Sequence, residues 1–213
     1  MICTKQKSDV PAAQGTRMVK KRSQILAGAR EVFLKEGFEG ASVDDISIAA
    51  SVSKATLYNH FPDKSLMFKA VIEGECDKQA GHMFALPQNA EGVEATLLDA
   101  AQRFVNFLTT PFAQNIFRIC VGEADRFPEL GQDFYRTGPE LLRNHLMQFF
   151  EDCKPHNILQ IDDPAMAADQ FSELCKANLF ARALFGVQTK FTKKEKEKVA
   201  REAIATFMAR YSK

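Results

Sequence analysis

The sequence contains no tryptophan and only three tyrosines. It also has no apolar run that approaches the roughly 20 residues needed to cross a bilayer. Residues 1–21 are polar and lack an apolar core, so a secretory signal peptide is not expected. These absences argue against membrane and secreted proteins. We therefore expect a cytoplasmic protein that does not associate with membranes.

Cysteine is sparse and scattered. The five cysteines (Cys3, Cys76, Cys120, Cys153 and Cys175) are odd in number, and no Cys-x-x-Cys pair or Cys/His cluster occurs. Neither a zinc site nor a disulfide framework is predicted, because both require cysteines at characteristic spacings. We expect no metal ion and no other cofactor. A redox-sensing thiol is one alternative, and buried or inert cysteines are the more common case.

Signatures of catalysis are missing as well. The chain has no paired Glu-x-x-His motifs, no nucleophile elbow and no glycine-rich phosphate loop. A small helical enzyme or a di-metal bundle is therefore disfavoured, and we do not expect an enzyme.

The charge that is present is unevenly distributed. The 213 residues are 46% hydrophobic and 26% charged, which is ordinary for a globular protein with a substantial core. Residues 1–70 hold eleven Lys and Arg against seven Asp and Glu, whereas the remainder has a net charge of −3. A basic N-terminal third on an acidic body is consistent with a polyanionic partner held at one end.

Apolar residues recur at helical spacing along the chain, and no alternating strand pattern of useful length occurs. The sequence predicts an all-α protein in which helices are separated by Pro and Gly. A loop is predicted over Pro87 to Gly92. The predicted helices are Ser23–Glu36, a short helix opened by Ser42, Lys54–His60, Lys64–Asp77, Val93–Leu108, Phe112–Phe127, a helix kinked at Gly138-Pro139, Pro164–Phe185 and Lys193–Tyr211.

Two short helices joined by about three residues are what a helix-turn-helix requires. Ser42, with Asp45 three residues later, resembles a capping box for the first, and Ser53 is a natural N-cap for the second. The second helix carries small and polar side chains suited to bases and phosphates, and Lys64 adds charge near the next helix N-terminus. The candidate DNA-binding residues are Ser42, Lys54, Ala55, Thr56, Tyr58, Asn59, His60 and Lys64. The basic residues 20–22 are either solvated or in contact with DNA.

These residues also carry a resemblance. Ser42-Val43-Asp44-Asp45-Ile46, then the run from Val52 to Phe61, then Asp63-Lys64, look like the N-terminal domain of TetR-family transcriptional regulators. The resemblance implies that the third helix reads the major groove and that Ser42, Tyr58, His60 and Lys64 hold phosphates. It departs from the family pattern at Ser47, where Ala is usual, and at Ser51, where Gly is usual. A left-handed conformation at Ser51 would cost about 1 kcal/mol relative to Gly.

The resemblance extends to the C-terminal part. The stretches from Arg118 to Leu130 and from Phe134 to Pro139 look like the AefR-like subgroup, which implies a small-molecule effector and a homodimer. The expected domains are a flexible basic arm (1–19), a helix-turn-helix domain (20–72, with a linker helix over 64–77) and a helical ligand-binding and dimerisation domain (78–213). The last two helices each carry an apolar stripe, so we expect them to form the dimer interface.

Polar and aromatic residues on apolar helix faces are the candidates for holding an effector, although core packing or a structural hydrogen bond is the commoner role for each. These candidates are Phe104, Phe107, Phe117, Arg118, Glu123, Tyr135, His145, Phe149 and Asn178. Arg118 or Arg126 could instead form an ordinary ion pair with Glu123.

The sequence thus predicts a repressor that binds a palindromic operator in double-stranded DNA as a dimer and is released by a small apolar or amphipathic effector. Two alternatives stay open. The chain could be a DNA-binding protein of the same fold without an inducer, with an architectural role or regulated by a protein partner. It could also activate transcription.

Overall fold

The computed structural model describes residues 12–83 and 92–213, and side chains over 18–75 and 92–213. These residues form eleven α-helices and, apart from an isolated bridge between Leu159 and Ser212, no β-structure. The all-α prediction is confirmed. The helices are α1 (Ala12–Gly40), α2 (Val43–Ala49), α3 (Lys54–His60), α4 (Lys64–Met83), α5 (Val93–Leu108), α6 (Pro111–Gly122), α7 (Pro128–Thr137), α8 (Pro139–Cys153), α9 (Pro164–Lys176), α10 (Leu179–Leu184) and α11 (Lys193–Tyr211).

The chain divides into two compact units between Val71 and Ile72, within α4. In the first unit, α1 already includes residues 12–19, which the sequence predicts to be part of a flexible arm. The regular helix is interrupted at Gly37, which has a φ of 76°. Glycine adopts this conformation without steric cost, and it occupies the position predicted for the C-terminal cap.

Aromatic rings form the centre of the first unit. Phe33 and Phe38 of α1 stack with ring centroids 5.9 Å apart, and Phe68 of α4 meets them edge-on at 5.1 and 5.3 Å. Ile46 of α2 and Leu57 of α3 are fully buried. Each short helix is therefore anchored by a single large apolar side chain.

The second unit has its core between α5, α8, α9 and α11. The helix α11 packs against α5 and α9, and α8 packs against α9. Phe207 of α11 lies at the centre, with its ring 5.6 Å from Phe150, 5.9 Å from Phe171 and 4.7 Å from Tyr211. The apolar stripe of α11, predicted to face a second subunit, is buried within its own chain. Its buried residues are Val199, Ala200, Ala203, Ile204, Phe207 and Tyr211.

Several predicted helix bounds agree with the structure, namely those of α3, α5 and α11. The predicted helix Lys64–Asp77 continues to Met83, and the loop predicted over residues 87–92 lies, apart from Gly92, outside the described residues.

Two predicted helices are too long. The one predicted to reach Phe127 ends at Gly122, and a turn leads to α7 at Pro128. The predicted helix Pro164–Phe185 is broken at Ala177 and Asn178, where Asn178 has a φ of 63° and separates α9 from α10. Asparagine tolerates positive φ better than most residues, which makes this break sterically acceptable.

Candidate nucleic-acid interface

Ser42 caps α2. Its Oγ accepts a hydrogen bond from the Asp45 backbone N–H at 3.0 Å and donates to the Asp45 carboxylate at 2.5 Å. The predicted N-cap is present, although the carboxylate binds the Ser42 hydroxyl. In a full capping box it would instead accept from the cap's backbone N–H. Ser47, where the family usually has Ala, donates from its hydroxyl to the Asp44 carbonyl at 2.9 Å.

The turn between α2 and α3 is held by α1. Ser51 has a φ of 51°, the left-handed conformation that the sequence predicts at this position. The Gln24 side chain donates to the Ala50 carbonyl at 2.6 Å. Gly28 lies so close to this turn that a Cβ built on it would be 2.5 Å from the Ala50 backbone nitrogen. The turn is therefore positioned by direct contact with α1.

The second helix of the motif, α3, presents most of its surface outward. Ser53 caps it by accepting from the Thr56 N–H at 3.1 Å, and the hydroxyls of Ser53 and Thr56 are 2.8 Å apart. Leu57 is its one fully buried residue. Thr56 and His60 are half-buried, and the exposed residues are Lys54, Ala55, Tyr58 and Asn59. The side chains predicted to read DNA thus share one accessible helix.

Lys54 has an acidic partner on the preceding helix. Its ammonium forms an ion pair with Asp44 of α2, and both side chains are more than half exposed. The hydrogen bond to Asp44, together with the charge of that carboxylate, raises the pKa of Lys54. The ion pair therefore holds the lysine ammonium at the N-terminal end of α3, next to α2.

Lys64 contributes to the fold of the first unit. Its ammonium donates to the carbonyls of Glu39 at 3.2 Å and Ala41 at 3.0 Å, and it lies 4.6 Å from the centre of the Phe38 ring. These contacts connect the start of α4 to the segment between α1 and α2. A phosphate contact by Lys64 would add to this structural role.

The basic residues 20–22 lie on α1. The Lys21 ammonium donates to the Gln24 side chain at 3.0 Å, and the Arg22 guanidinium lies 5.3 Å from the centre of the Phe61 ring. Both side chains therefore make local contacts within the first unit, while Lys20 is exposed.

The predicted effector residues of the second unit differ in burial and in the contacts that they make. Phe104 and Phe149 are buried members of its core. Arg118 donates to the Leu184 carbonyl at 2.8 Å, the Ala183 carbonyl at 2.6 Å and the Asn115 side chain at 2.9 Å, so it caps the C-terminus of α10.

The remaining candidates lie in different places. Tyr135 is exposed, Asn178 is exposed at the break between α9 and α10, and Glu123 is the half-buried C-cap of α6. The sequence predicts that Asn178 lies on one stripe with Phe171 and Cys175. In the structure those two residues are buried and Asn178 is exposed, so this prediction is wrong. The other three, Phe107, Phe117 and His145, are half-buried.

One strongly buried polar residue, Gln114 of α6, was missed. It is 5% exposed, and its sequence neighbourhood gives no sign of this. Among the side chains that the structure describes, over residues 18–75 and 92–213, no group of three or more His, Cys, Asp or Glu is arranged to hold a metal ion. No helix in the same residues is long and apolar enough to span a membrane.

Comparison with known proteins decides the family. Residues 25–71 match the family described as bacterial regulatory proteins, tetR family. Residues 95–213 match the C-terminal domain of AefR-like transcriptional repressors. The chain belongs to the TetR family. It is a DNA-binding transcriptional regulator and not an enzyme, in agreement with the sequence-based interpretation.

Among TetR-family relatives, the repressor AcnR of Corynebacterium efficiens is 35% identical over 68 residues, 32% of this chain and 36% of that protein. The activator FasR of Mycolicibacterium smegmatis is 31% identical over 88 residues, 41% of this chain and 40% of that protein. The alignments thus span less than half of these curated relatives. The solved structure of the flavonoid-responsive regulator FrrA is 30% identical, covers 91% of this chain and 98% of that one, and has a TM-score of 0.77.

Proposed function

We propose that this protein is a dimeric, effector-released repressor that acts in the cytoplasm on a roughly palindromic operator. The single observation that carries the proposal is the helix α3, which is anchored by Leu57 and leaves four of its seven residues exposed, namely Lys54, Ala55, Tyr58 and Asn59. A short helix held in this way fits the major groove, where side chains can reach base edges. The relative named as a repressor supports the direction of regulation.

Within this proposal the DNA-binding residues divide by chemistry. Ser42, Tyr58, His60 and Lys64 hold phosphates, whereas Lys54, Ala55, Thr56 and Asn59 contact base edges. Phosphate contacts set affinity and orientation, while base contacts set sequence preference. Residues 20–72 serve as the DNA-binding domain and residues 78–213 as the effector-binding and dimerisation domain.

The experiment begins with selection of bound fragments from random DNA, which yields the operator and its symmetry. Fluorescence anisotropy at fixed salt then compares Tyr58→Phe with Tyr135→Phe, which removes the same hydroxyl from an exposed tyrosine of α7. We expect Tyr58→Phe to weaken binding about threefold to tenfold on every sequence, since one hydrogen bond is lost. Equal affinities for the two variants would contradict the proposed docking.

The dimer requires a surface other than the buried stripe of α11. The turn after α10 carries Phe185 and Val187, which are 79% and 73% exposed. The outer face of α11 exposes small side chains, including Ala205 and Ala209, that allow close helix packing. We place the interface on these outer faces of the last helices. Two copies related by a twofold axis would then present two α3 helices to two half-sites.

Sedimentation velocity on the full chain tests this interface. Phe185→Glu should produce monomers at micromolar concentration, because a carboxylate would be buried without a partner. Tyr135→Glu adds the same charge at an exposed aromatic outside the proposed interface and should leave the dimer intact. A dimer that survives Phe185→Glu would place the interface elsewhere.

Regulation by a small molecule is supported by FrrA, the flavonoid-responsive relative that aligns over nearly the whole chain. An effector releases DNA by binding the non-DNA-binding state more tightly, so its differential affinity sets the response. The relative named as an activator favours a second candidate function, activation of transcription. In vitro transcription from a promoter that carries the selected operator distinguishes the two, since a repressor lowers the transcript level and an activator raises it.

A further inference from the structure

Gln114 of α6 is a buried amide whose nitrogen is hydrogen-bonded and whose oxygen is not. Only 5% of the residue's surface is exposed to solvent. The Nε2 group donates to the carbonyl of Leu108, the last residue of α5. The Oε1 atom is buried and has no hydrogen-bond partner in the described part of the chain.

An acceptor in this situation points to a missing donor. Buried polar side-chain atoms in native proteins nearly always have a partner, because an unsatisfied acceptor gives up its bonds to water without replacement. The bond from Nε2 to Leu108 fixes the amide plane, so Oε1 is presented in a defined direction. Such a preorganised acceptor is suited to orient a bound molecule.

The neighbourhood of Gln114 on α6 is aromatic. Phe117 lies one turn further along, on the same face of the helix, as residues three apart do. Its ring meets Phe134 of α7 edge-on at 6.0 Å and Phe180 of α10 at 5.0 Å. All three rings are half-buried, so they are not sealed into the main core of the second unit. A ligand near this face would meet apolar and aromatic surface.

The cation beside Gln114 is already committed. Arg118, one turn from Gln114, uses its nitrogens on the carbonyls of Leu184 and Ala183 and on the side chain of Asn115. It therefore does not supply a counter-ion for a carboxylate or phosphate. The chemistry at this position favours an uncharged molecule with an apolar body.

We propose that Gln114 orients the effector, an uncharged and largely apolar small molecule whose hydroxyl group donates a hydrogen bond to Oε1. The inference rests on the proposed function in that it names the effector's chemical class and one contact. It also makes Gln114 a specificity-determining residue, because an analogue without the hydroxyl group would leave Oε1 without a hydrogen bond.

Two probes that differ by one hydroxyl test this contact. Isothermal titration calorimetry of the full chain gives a dissociation constant for 4-propylphenol and one for propylbenzene. The ratio of the two measures how much the hydroxyl group contributes to affinity. We expect this ratio to favour 4-propylphenol about tenfold more in the wild type than in Gln114→Met, which keeps the size of the side chain and removes the acceptor. Gln148→Met, at an exposed glutamine of α8, should keep the wild-type ratio.

The same ratio in Gln114→Met and the wild type would overturn the proposal, as would failure of both probes to bind. A second measurement covers the case in which Gln114→Met does not fold. In wild-type protein labelled with ¹⁵N at glutamine side chains, 4-propylphenol should shift one buried amide signal and propylbenzene should not. Identical spectra with both probes would mean that an ordered water alone satisfies Oε1. If the protein bound no operator, the proposed function would be contradicted. The ratio of the two probe dissociation constants does not depend on that result.

Discussion

The ammonium of Lys54, the first residue of α3, is paired with the carboxylate of Asp44 on α2. The pair joins the two helices of the motif across the turn. It also places a negative charge next to the surface that, in the proposed docking, approaches phosphates.

Asp44→Asn should strengthen DNA binding on all sequences. The change removes repulsion between Asp44 and phosphates and leaves the Lys54 charge available to the DNA. Exposed ion pairs are weak, so we expect an affinity gain of about twofold to fivefold at 0.15 M salt, diminishing at higher salt. Fluorescence anisotropy titrations across a series of salt concentrations measure this gain in affinity.

Glu36→Gln is the control for charge alone, because it neutralises an acid in an exposed ion pair with Lys35 on α1. An equal gain in this variant would mean that net charge, and not the Lys54 contact, governs affinity.

Gly28→Ala should destabilise the first unit. The new methyl carbon would lie 2.5 Å from the nitrogen and 2.8 Å from the Cα of Ala50, and both are backbone atoms that cannot rotate away. Helix propensity favours alanine by about 1 kcal/mol, but the overpacking costs about 1–3 kcal/mol and should outweigh it. Urea unfolding gives the net change.

Gly74→Ala in α4 provides the comparison, since a Cβ built at Gly74 has no described neighbour within 4 Å. This variant should gain up to about 1 kcal/mol from helix propensity. If Gly28→Ala were stabilised to the same degree, the close approach of α1 to the turn would be refuted.

Ser51→Gly should stabilise the chain by about 1 kcal/mol, because glycine adopts a φ near 51° without steric cost. Asn157 also has a positive φ, of 54°, but asparagine tolerates this conformation better than serine. Asn157→Gly should therefore gain less. A larger gain at Asn157 than at Ser51, measured by thermal unfolding, would reverse this ranking.

Three thiols of the second unit, those of Cys120, Cys153 and Cys175, should resist modification in the folded protein. Cys120, Cys153 and Cys175 are buried. Burial raises the pKa of Cys120 and Cys175 to about 12 and raises that of Cys153 as well. The thiolate is the reactive form, so little of it exists at pH 8. Peptide mapping after treatment with Ellman's reagent should find these three unmodified until denaturant is added. Rapid labelling of Cys120 or Cys175 in buffer would show that the folded chain opens there.

The same thiols predict a loss of stability in alkaline solution. In the unfolded chain a cysteine ionises near pH 8.5, whereas the folded thiols of Cys120 and Cys175 stay protonated up to about pH 12. Their contribution to the free energy of unfolding is therefore complete below about pH 8.5 and is lost as the pH rises toward 12. Urea titrations at pH 7.5 and pH 9.5 should show that the free energy of unfolding declines less in Cys175→Ala than in the wild type.

How far the sequence predicts this fold depends on whether the signal is local. The caps at Ser42 and Ser53 and the bounds of α3, α5 and α11 follow from short-range patterns and agree with the structure. The left-handed turn residue, Ser51, was also foreseeable, since the family resemblance implies it.

Long-range contacts were not foreseeable. The apolar spacing continues through Asn178, so periodicity alone indicates one helix where α9 and α10 are separate. Arg118 reaches the carbonyl of Leu184, 66 residues away, and no pattern near Arg118 signals this bond. Gln114 resembles any surface glutamine in the sequence, and its burial depends entirely on which helices surround it.

The anchoring of α3 by Leu57 alone has an evolutionary consequence. Substitutions at its outward-facing positions would change the proposed operator contacts while leaving the packed interior intact, so most of them should carry little stability penalty. After gene duplication, a copy of this regulator could therefore acquire a new target promoter through a few changes among the six residues of α3 other than Leu57. The residues that determine the proposed DNA contacts are therefore largely different from those that stabilise the fold.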